Sequence, residues 1–150
     1  MTNFDKILTP VVSFTPDTSA YSAGDSIGGS LSFDLTGSAS GGGLLNYIKV
    51  IDDDNEGAAG ALWLFKAALT TPIADNAAFA WVKADWANWI GMWTLPSFGA
   101  LSSMKYALLE DLNTLFKVDA NLIKGYYVTS GTPTYAPSKT IRIELGILTQ

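Results

Sequence analysis

The side chains that most often carry chemistry are scarce in this 150-residue chain, which contains neither histidine nor cysteine. Without histidine, the usual general base near neutral pH and the histidine-dependent serine and cysteine triads are absent. Without cysteine, disulfides and thiolate metal ligands are excluded. A serine–lysine dyad would have to use Ser102, Ser103 and Lys105, which come nearest to that motif but do not stand at a recognisable strand–helix turn.

Carboxylates are the remaining candidates for chemistry, and the chain contains fourteen. Two carboxylates facing each other across a cleft could hydrolyse a glycosidic bond. Most of them fall in turn-like segments, and Asp34 and Glu144 occupy strand positions that we expect to be exposed. The acidic turn at 52–56 could attract calcium, but it lacks the EF-hand spacing. We therefore predict no catalytic residue, no cofactor and no metal site, with a carboxylate-dependent glycosidase as the alternative enzyme hypothesis.

The composition limits the classes of partner that the chain can bind. The net charge is −5 and the nine basic residues are scattered, so the clustered basic surface that a nucleic-acid partner needs is missing. No apolar run approaches the roughly 20 residues of a membrane helix, and the first six residues do not resemble a signal peptide. Only 15% of residues are charged and 48% are hydrophobic, against about 25% charged in a typical soluble domain. We expect neighbouring subunits to cover part of this surface.

Hydrophobic alternation with a period of two dominates the chain. It is clearest at 27–35 and 141–148, where every second residue is apolar, as in a half-buried strand. Apart from Lys49 and Lys66, the runs 47–51 and 61–69 are apolar on both faces, which is typical of strands covered on two sides. Turn-forming residues separate the strands. Those at 38–43 predict a hairpin loop, and further turns are predicted at 52–57 and 131–134. The pattern predicts an all-β fold, an antiparallel β-sandwich or jelly roll.

Two segments depart from this alternation. The segment 85–91 begins with a potential N-cap, Asp85, and ends with Gly91, which predicts one short helix around 85–90. The segment 101–116 fits either strands or a helix face. No linker or internal repeat divides the chain, so we predict an N-terminal arm or disordered segment at 1–8 and a single β-sandwich domain at 9–150.

An aromatic cluster surrounds the predicted helix. Three roles are open to it: a core plug, an anchor at a subunit interface, where tryptophan is enriched among the residues that dominate binding, or a platform for stacking sugars. We place the core plug first for at least two of the tryptophans, the interface second and sugar binding third. The candidate interface residues are Trp81, Trp86, Trp89, Trp93 and Phe98.

Five segments, spread in order over most of the chain, carry a family resemblance. They are YSAGDSIGG at 21–29, LWLF at 62–65, DNAAFA at 75–80, DWANWIG at 85–91 and GTPTYA at 131–136. Together they resemble a family of small, mostly uncharacterised proteins of tailed bacteriophages, usually associated with virion structure. The tryptophan content of 81–93 is higher than this family leads one to expect.

The resemblance implies a non-enzymatic virion protein on the capsid surface. Its expected role is that of a capsid decoration, or cement, protein that binds the assembled major capsid shell and stabilises it. The alternative is a minor head, neck or fibre-associated module that binds host glycan through exposed tryptophans. The expected partners are the major capsid protein or other virion proteins and further copies of the chain, as a homo-oligomer and specifically a trimer.

Overall fold

The computed structural model describes residues 6–38 and 41–149, which form twelve strands and one short 3-10 helix. No helix in this part of the chain is long and apolar enough to cross a membrane. The strands are β1 (Lys6–Leu8), β2 (Val11–Phe14), β3 (Asp25–Asp34), β4 (Gly42–Asp52), β5 (Gly60–Phe65), β6 (Ala77–Ala78), β7 (Trp89–Thr94), β8 (Gly99–Leu101), β9 (Met104–Leu109), β10 (Thr114–Lys117), β11 (Leu122–Thr129) and β12 (Ile141–Thr149). The 3-10 helix spans Lys83–Asn88, between β6 and β7.

The strands pair into two antiparallel sheets. Sheet A has the order β1-β12-β4-β9-β8, with β2 also pairing with β12 and β10 also pairing with β4. Sheet B has the order β6-β3-β11-β5-β7. The predicted all-β sandwich with one short helix is therefore confirmed.

One hydrophobic core joins the inner faces of the two sheets. In β12 the side chains of Ile141, Ile143, Leu145 and Ile147 all point inward and are at most 1% exposed. They meet the inward side chains of sheet B, such as Phe33 of β3, in the same cluster. Removing this apolar surface from water, at about 25 cal/mol per Å², is the main stabilising contribution to the fold.

The predicted helix exists, but its boundaries differ from those expected. It follows Val82 and ends at Asn88, so Asp85 lies inside it and is not its N-cap. The Asp85 carboxylate instead accepts a hydrogen bond from the Val82 backbone N–H at 3.4 Å. Gly91 does not end the helix, because residues 89–94 already pair with β5 as strand β7.

The helix alternative for 101–116 is wrong, and the segment forms strands. Leu101 and Met104 face each other across a two-residue hairpin between β8 and β9, in which Ser102 has a φ of 53°. An i, i+3 spacing therefore places two residues on the same face here without any helix. The central strand β4 stabilises this arrangement by pairing with β9 over Ile48–Asp52 and with β10 over Gly42–Leu45.

Two predictions concern segments that the structure describes only in part. The run 38–43 does not form the predicted hairpin loop. It connects the two sheets, because β3 lies in sheet B and β4 lies in sheet A. Residues 39–40 lie outside the described part. Of the predicted arm at 1–8, residues 1–5 also lie outside it. Residues 6–8 form β1, which pairs with Ile147–Thr149 at the end of β12.

Candidate functional site

The outer face of sheet B is covered by the protein itself. Alternation along β5 directs Leu62 and Leu64 into the main core and leaves Trp63 and Phe65 on the opposite face. Trp63 pairs with Tyr126 of β11, which points the same way. Residues 66–88, which we call the lid, leave β5 and return over this face before β7 begins.

The lid and the sheet meet in a second hydrophobic cluster that is mostly aromatic. Trp63 lies at its centre, with ring centroids 5.3 Å from Phe79, 6.0 Å from Trp81 and 5.9 Å from Trp89. Trp86 completes it by stacking on Trp81 at 5.9 Å and 24°. The aromatic cluster consists of Trp63, Phe65, Phe79, Trp81, Trp86, Trp89 and Tyr126.

Two aspartates hold the lid in place. The buried Asp85 carboxylate accepts hydrogen bonds from the Thr70 backbone N–H at 2.8 Å and hydroxyl at 2.7 Å, which join the two ends of the lid. These bonds from Thr70 stabilise the ionised form and lower the pKa of Asp85. Asp75 accepts from the Tyr21 hydroxyl at 2.6 Å and from the Gly28 N–H at 2.7 Å, and so ties the lid to β3. Both carboxylates therefore have structural partners.

The five candidate interface residues fall into two groups. Trp81, Trp86 and Trp89 belong to the aromatic cluster, whereas Trp93 and Phe98 pack against the main core. The structure thus does not bring all five together on one surface, and the interface role of each stays a prediction. The predicted group omits Trp63, although its position in a run that is apolar on both faces apart from Lys66 indicates a second covered face.

An open concavity lies beside Trp86, the most exposed member of the aromatic cluster at 65%. It measures about 740 Å³ and is mostly apolar. The ammonium group of Lys83 is the one charged group among its lining residues, which are Trp81, Val82, Lys83, Ala84, Trp86 and Ala87. The concavity therefore offers an aromatic ring for stacking and few side-chain hydrogen-bond partners.

The outer face of sheet A, by contrast, has no covering segment among residues 6–38 and 41–149. Of the ten large apolar side chains in these residues that are exposed by a third or more, seven lie on its strands. The strand register places them in continuous rows, for example Ile7 beside Leu148, Leu148 beside Leu44, and Leu44 beside Leu115. The apolar residues of this face are Ile7, Val11, Leu44, Tyr47, Ile51, Leu101, Met104, Tyr106, Leu108, Leu115 and Leu148.

An ion pair lies in the middle of these rows. Lys49 Nζ is 2.8 Å from Glu144 Oε1, which also accepts a hydrogen bond from the Tyr47 hydroxyl at 2.7 Å. Glu144 was expected to be exposed, but it is 9% exposed because these two side chains of β4 cover it. The Tyr47 ring lies over Gly146, where a Cβ atom would overlap it.

The surroundings of Glu144 set the ionisation of both partners. Burial disfavours its charged form, but the hydrogen bonds from Lys49 and Tyr47 and the charges of Lys49 and Arg142 outweigh burial, so the pKa of Glu144 is lowered. Burial, together with the Glu144 carboxylate, raises the pKa of Tyr47 to about 12. At neutral pH the carboxylate is therefore ionised and the phenol is neutral.

The charge of this face differs from that of the whole chain. Its strand positions include three cationic residues, Lys49, Arg142 and Lys117, against one carboxylate, Glu144. The complete chain carries a net charge of −5. The strands of this face therefore carry more cationic than acidic side chains, whereas the whole chain is acidic.

The acidic turn after β4 uses its carboxylates within the fold. Asp52 is buried and accepts hydrogen bonds from the backbone N–H groups of Asp54 and Gly57, at 2.9 and 2.8 Å. Burial raises the pKa of Asp52 in spite of these bonds. The Asp54 carboxylate accepts from the Ala136 N–H. Within the described ranges, no group of three or more acidic side chains is arranged to hold a metal ion.

The chain matches no protein-family model and no curated protein. Among solved structures, the PRD1 vertex protein P5 aligns with 99% of this chain and 100% of its own, at 12% sequence identity and a TM-score of 0.26. Two chains that superimpose this poorly need share neither a fold nor a role.

We expect the aromatic cluster to stabilise the lid through Trp63 far more than through Trp86. Trp63→Ala removes the ring on which Phe79, Trp81 and Trp89 pack, and should lower the free energy of unfolding by about 3 kcal/mol. Trp86→Ala should cost about 1 kcal/mol or less, because most of that ring is already in water. Chemical denaturation followed by near-UV circular dichroism measures both, and equal losses would contradict the central position of Trp63.

The lowered pKa of Glu144 predicts a pH-dependent contribution to stability. A carboxyl group with a lower pKa in the folded state stabilises the fold above its unfolded pKa of about 4.3, and this contribution disappears as pH falls through the folded value. Glu144→Gln should therefore lower stability by about 1 kcal/mol at pH 7, since Lys49 is partly exposed. The difference between the two proteins should shrink as pH falls from about 6 to about 3. A difference that stays constant or grows in acid would contradict this assignment.

Proposed function

We propose that this protein is a non-enzymatic structural protein of a bacteriophage virion, located on the capsid surface. Its specific role would be that of a decoration (cement) protein, which binds the assembled major capsid shell through the outer face of sheet A. The observation that supports this proposal is the uncovered apolar surface of sheet A. The outer face of sheet B, by contrast, is covered by the lid. The sequence resemblance to virion proteins supplies the biological setting.

The physical chemistry of the face fits a protein partner. Contiguous exposed apolar surface is uncommon on monomeric proteins and marks interaction sites. Leu115, 73% exposed, and Ile7, 65% exposed, gain most from being covered. A shell repeats the same binding site many times, so the modest affinity of each contact is sufficient when several linked copies bind together.

The charges indicate the chemistry of the partner surface. Lys49 is neutralised by Glu144, whereas Arg142 and Lys117 have no carboxylate partner among the ion pairs of the described residues. A partner surface that is apolar with carboxylates at its margin would complement this face, since complementary charges favour encounter and correct orientation. A second copy docked through the same face would instead bring its cations near those of the first. The major shell protein is therefore the preferred occupant.

A host-glycan-binding module remains a second candidate, and the exposed Trp86 favours it. Its ring, stacked on Trp81 beside an open concavity, offers a surface on which the apolar face of a sugar could stack. A glycan array together with a tryptophan-fluorescence titration tests this candidate. A signal lost in Trp86→Ala would support it, and no signal in either measurement would eliminate it.

The shell-binding proposal is tested with purified protein and purified shells that lack it. Leu115→Asp and Leu108→Asp place a carboxylate on the outer face of sheet A and should reduce shell binding at least tenfold, equivalent to about 1.4 kcal/mol. Val82→Asp makes the same change at a similarly exposed apolar residue on the other side of the sandwich, and should bind like the unmodified protein.

The possible results distinguish the cement role, the location on the capsid and the face of the protein that makes the contact. Bound protein should raise the resistance of the shells to heat and osmotic shock. Binding without added resistance removes the cement role and keeps the virion location. No binding to shells removes the capsid assignment, and loss of binding in Val82→Asp alone would place the contact on the lid.

A further inference from the structure

Exposed sheet edges are the places where one β-protein can pair with another, because their backbone N–H and C=O groups are unpaired. Most edges in the described part of this chain are short, irregular or charged. The outer edge of β3 beyond β6 is longer, but its Gly29 has a φ of 64° and it ends at Asp34. Strand β6 has two residues, β1 and β8 have three each, and β2 and β10 have four each. In addition, Pro10 precedes β2, and Lys6 and Lys117 lie in β1 and β10. These are features that limit pairing between molecules.

Strand β7 is longer than these short strands and, unlike β3, carries no charge. It spans Trp89–Thr94, six residues without a charge or a proline, and pairs only with β5 within the described residues. Its register to β5 shifts between Gly91 and Trp89, so Gly91–Thr94 is its regular part. Met92, near its middle, is 41% exposed. A long, uncharged, apolar edge of this kind is an association site unless something covers it.

The hydrogen-bond pattern shows which backbone groups of β7 are available. The Leu95 N–H donates to the Gly60 carbonyl at 2.9 Å, just beyond the strand. In an antiparallel ladder every second residue bonds to the partner strand, so Trp93 and Gly91 bond to β5. Met92 and Thr94 therefore direct their N–H and C=O groups to the open side.

We propose that β7 pairs antiparallel with β7 of a second copy of this chain, across a two-fold axis at Met92. The two Met92 residues would then exchange a pair of backbone hydrogen bonds, and two copies of sheet B would form one continuous sheet. This association concerns the free protein and does not depend on the capsid role.

The sequence of β7 supports a second copy as the occupant. A two-fold contact requires the same edge from both partners, so any charged residue near the axis would face a like charge. The absence of charge from β7 removes this obstacle. A three-fold ring, as in the predicted trimer, would need β7 to pair with a different edge, and the other edges in the described part are shorter or, at β3, charged.

The test measures the mass of the full-length protein by sedimentation equilibrium over a range of concentrations. The expected result is a reversible species of twice the 16.0-kDa chain mass. Met92→Pro removes an N–H that points away from β5, and should yield a folded monomer. Met92→Ala keeps that N–H and should still associate. Circular dichroism confirms that each variant is folded.

Amide hydrogen exchange in the unmodified protein provides an independent test if Met92→Pro fails to fold. The Met92 and Thr94 amides should be protected at high concentration and should exchange faster on dilution, while the Trp93 amide stays protected throughout. A monomer at every concentration, a trimer, or fast exchange at Met92 in the associated protein would overturn the proposal. Association that survives Met92→Pro but is lost in Leu115→Asp would place the contact on sheet A instead.

Discussion

Every strand of a sandwich has two faces, and the core between the sheets can bury only one of them. In this chain the shared core takes the inward residues of β3, β5, β11, β4 and β12, including the four inward side chains of β12. Apolar residues nevertheless continue on the outward positions of both sheets. The rest of the structure follows from how the protein covers, or leaves uncovered, these second faces.

The two sheets differ in this respect. Sheet B is covered by the chain itself, because residues 66–88 return across Trp63 and Phe65 and build the aromatic cluster there. Two carboxylates attach the lid by hydrogen bonds: Asp85 accepts one from the Thr70 hydroxyl, and Asp75 accepts one from the Tyr21 hydroxyl. Sheet A receives no such segment among the described residues. The carboxylates of Asp75 and Asp85 are thus structural, and the apolar face of sheet A is a surface available to a partner.

The sequence predicts local alternation well and long-range contacts poorly. The inward faces of β3 and β12 follow directly from a period of two, and so does the sandwich. The burial of Glu144 does not, because its partners Lys49 and Tyr47 come from β4, nearly a hundred residues earlier. The same limit applies to Trp63, whose aromatic neighbours lie on the lid. The Leu101–Met104 pair resembles a helix face in sequence because a tight hairpin, like a helical turn, places residues i and i+3 side by side.

The central claim, that the outer face of sheet A is covered in the assembled particle, is tested most directly by hydroxyl-radical labelling. Met104, Leu108 and Leu115 should be labelled in the free protein and protected in purified particles, while Trp86 on the lid, at the opposite side of the sandwich, remains labelled in both. Equal labelling of the three sheet A residues in both states would contradict the account. Protection confined to Trp86 would contradict it as well.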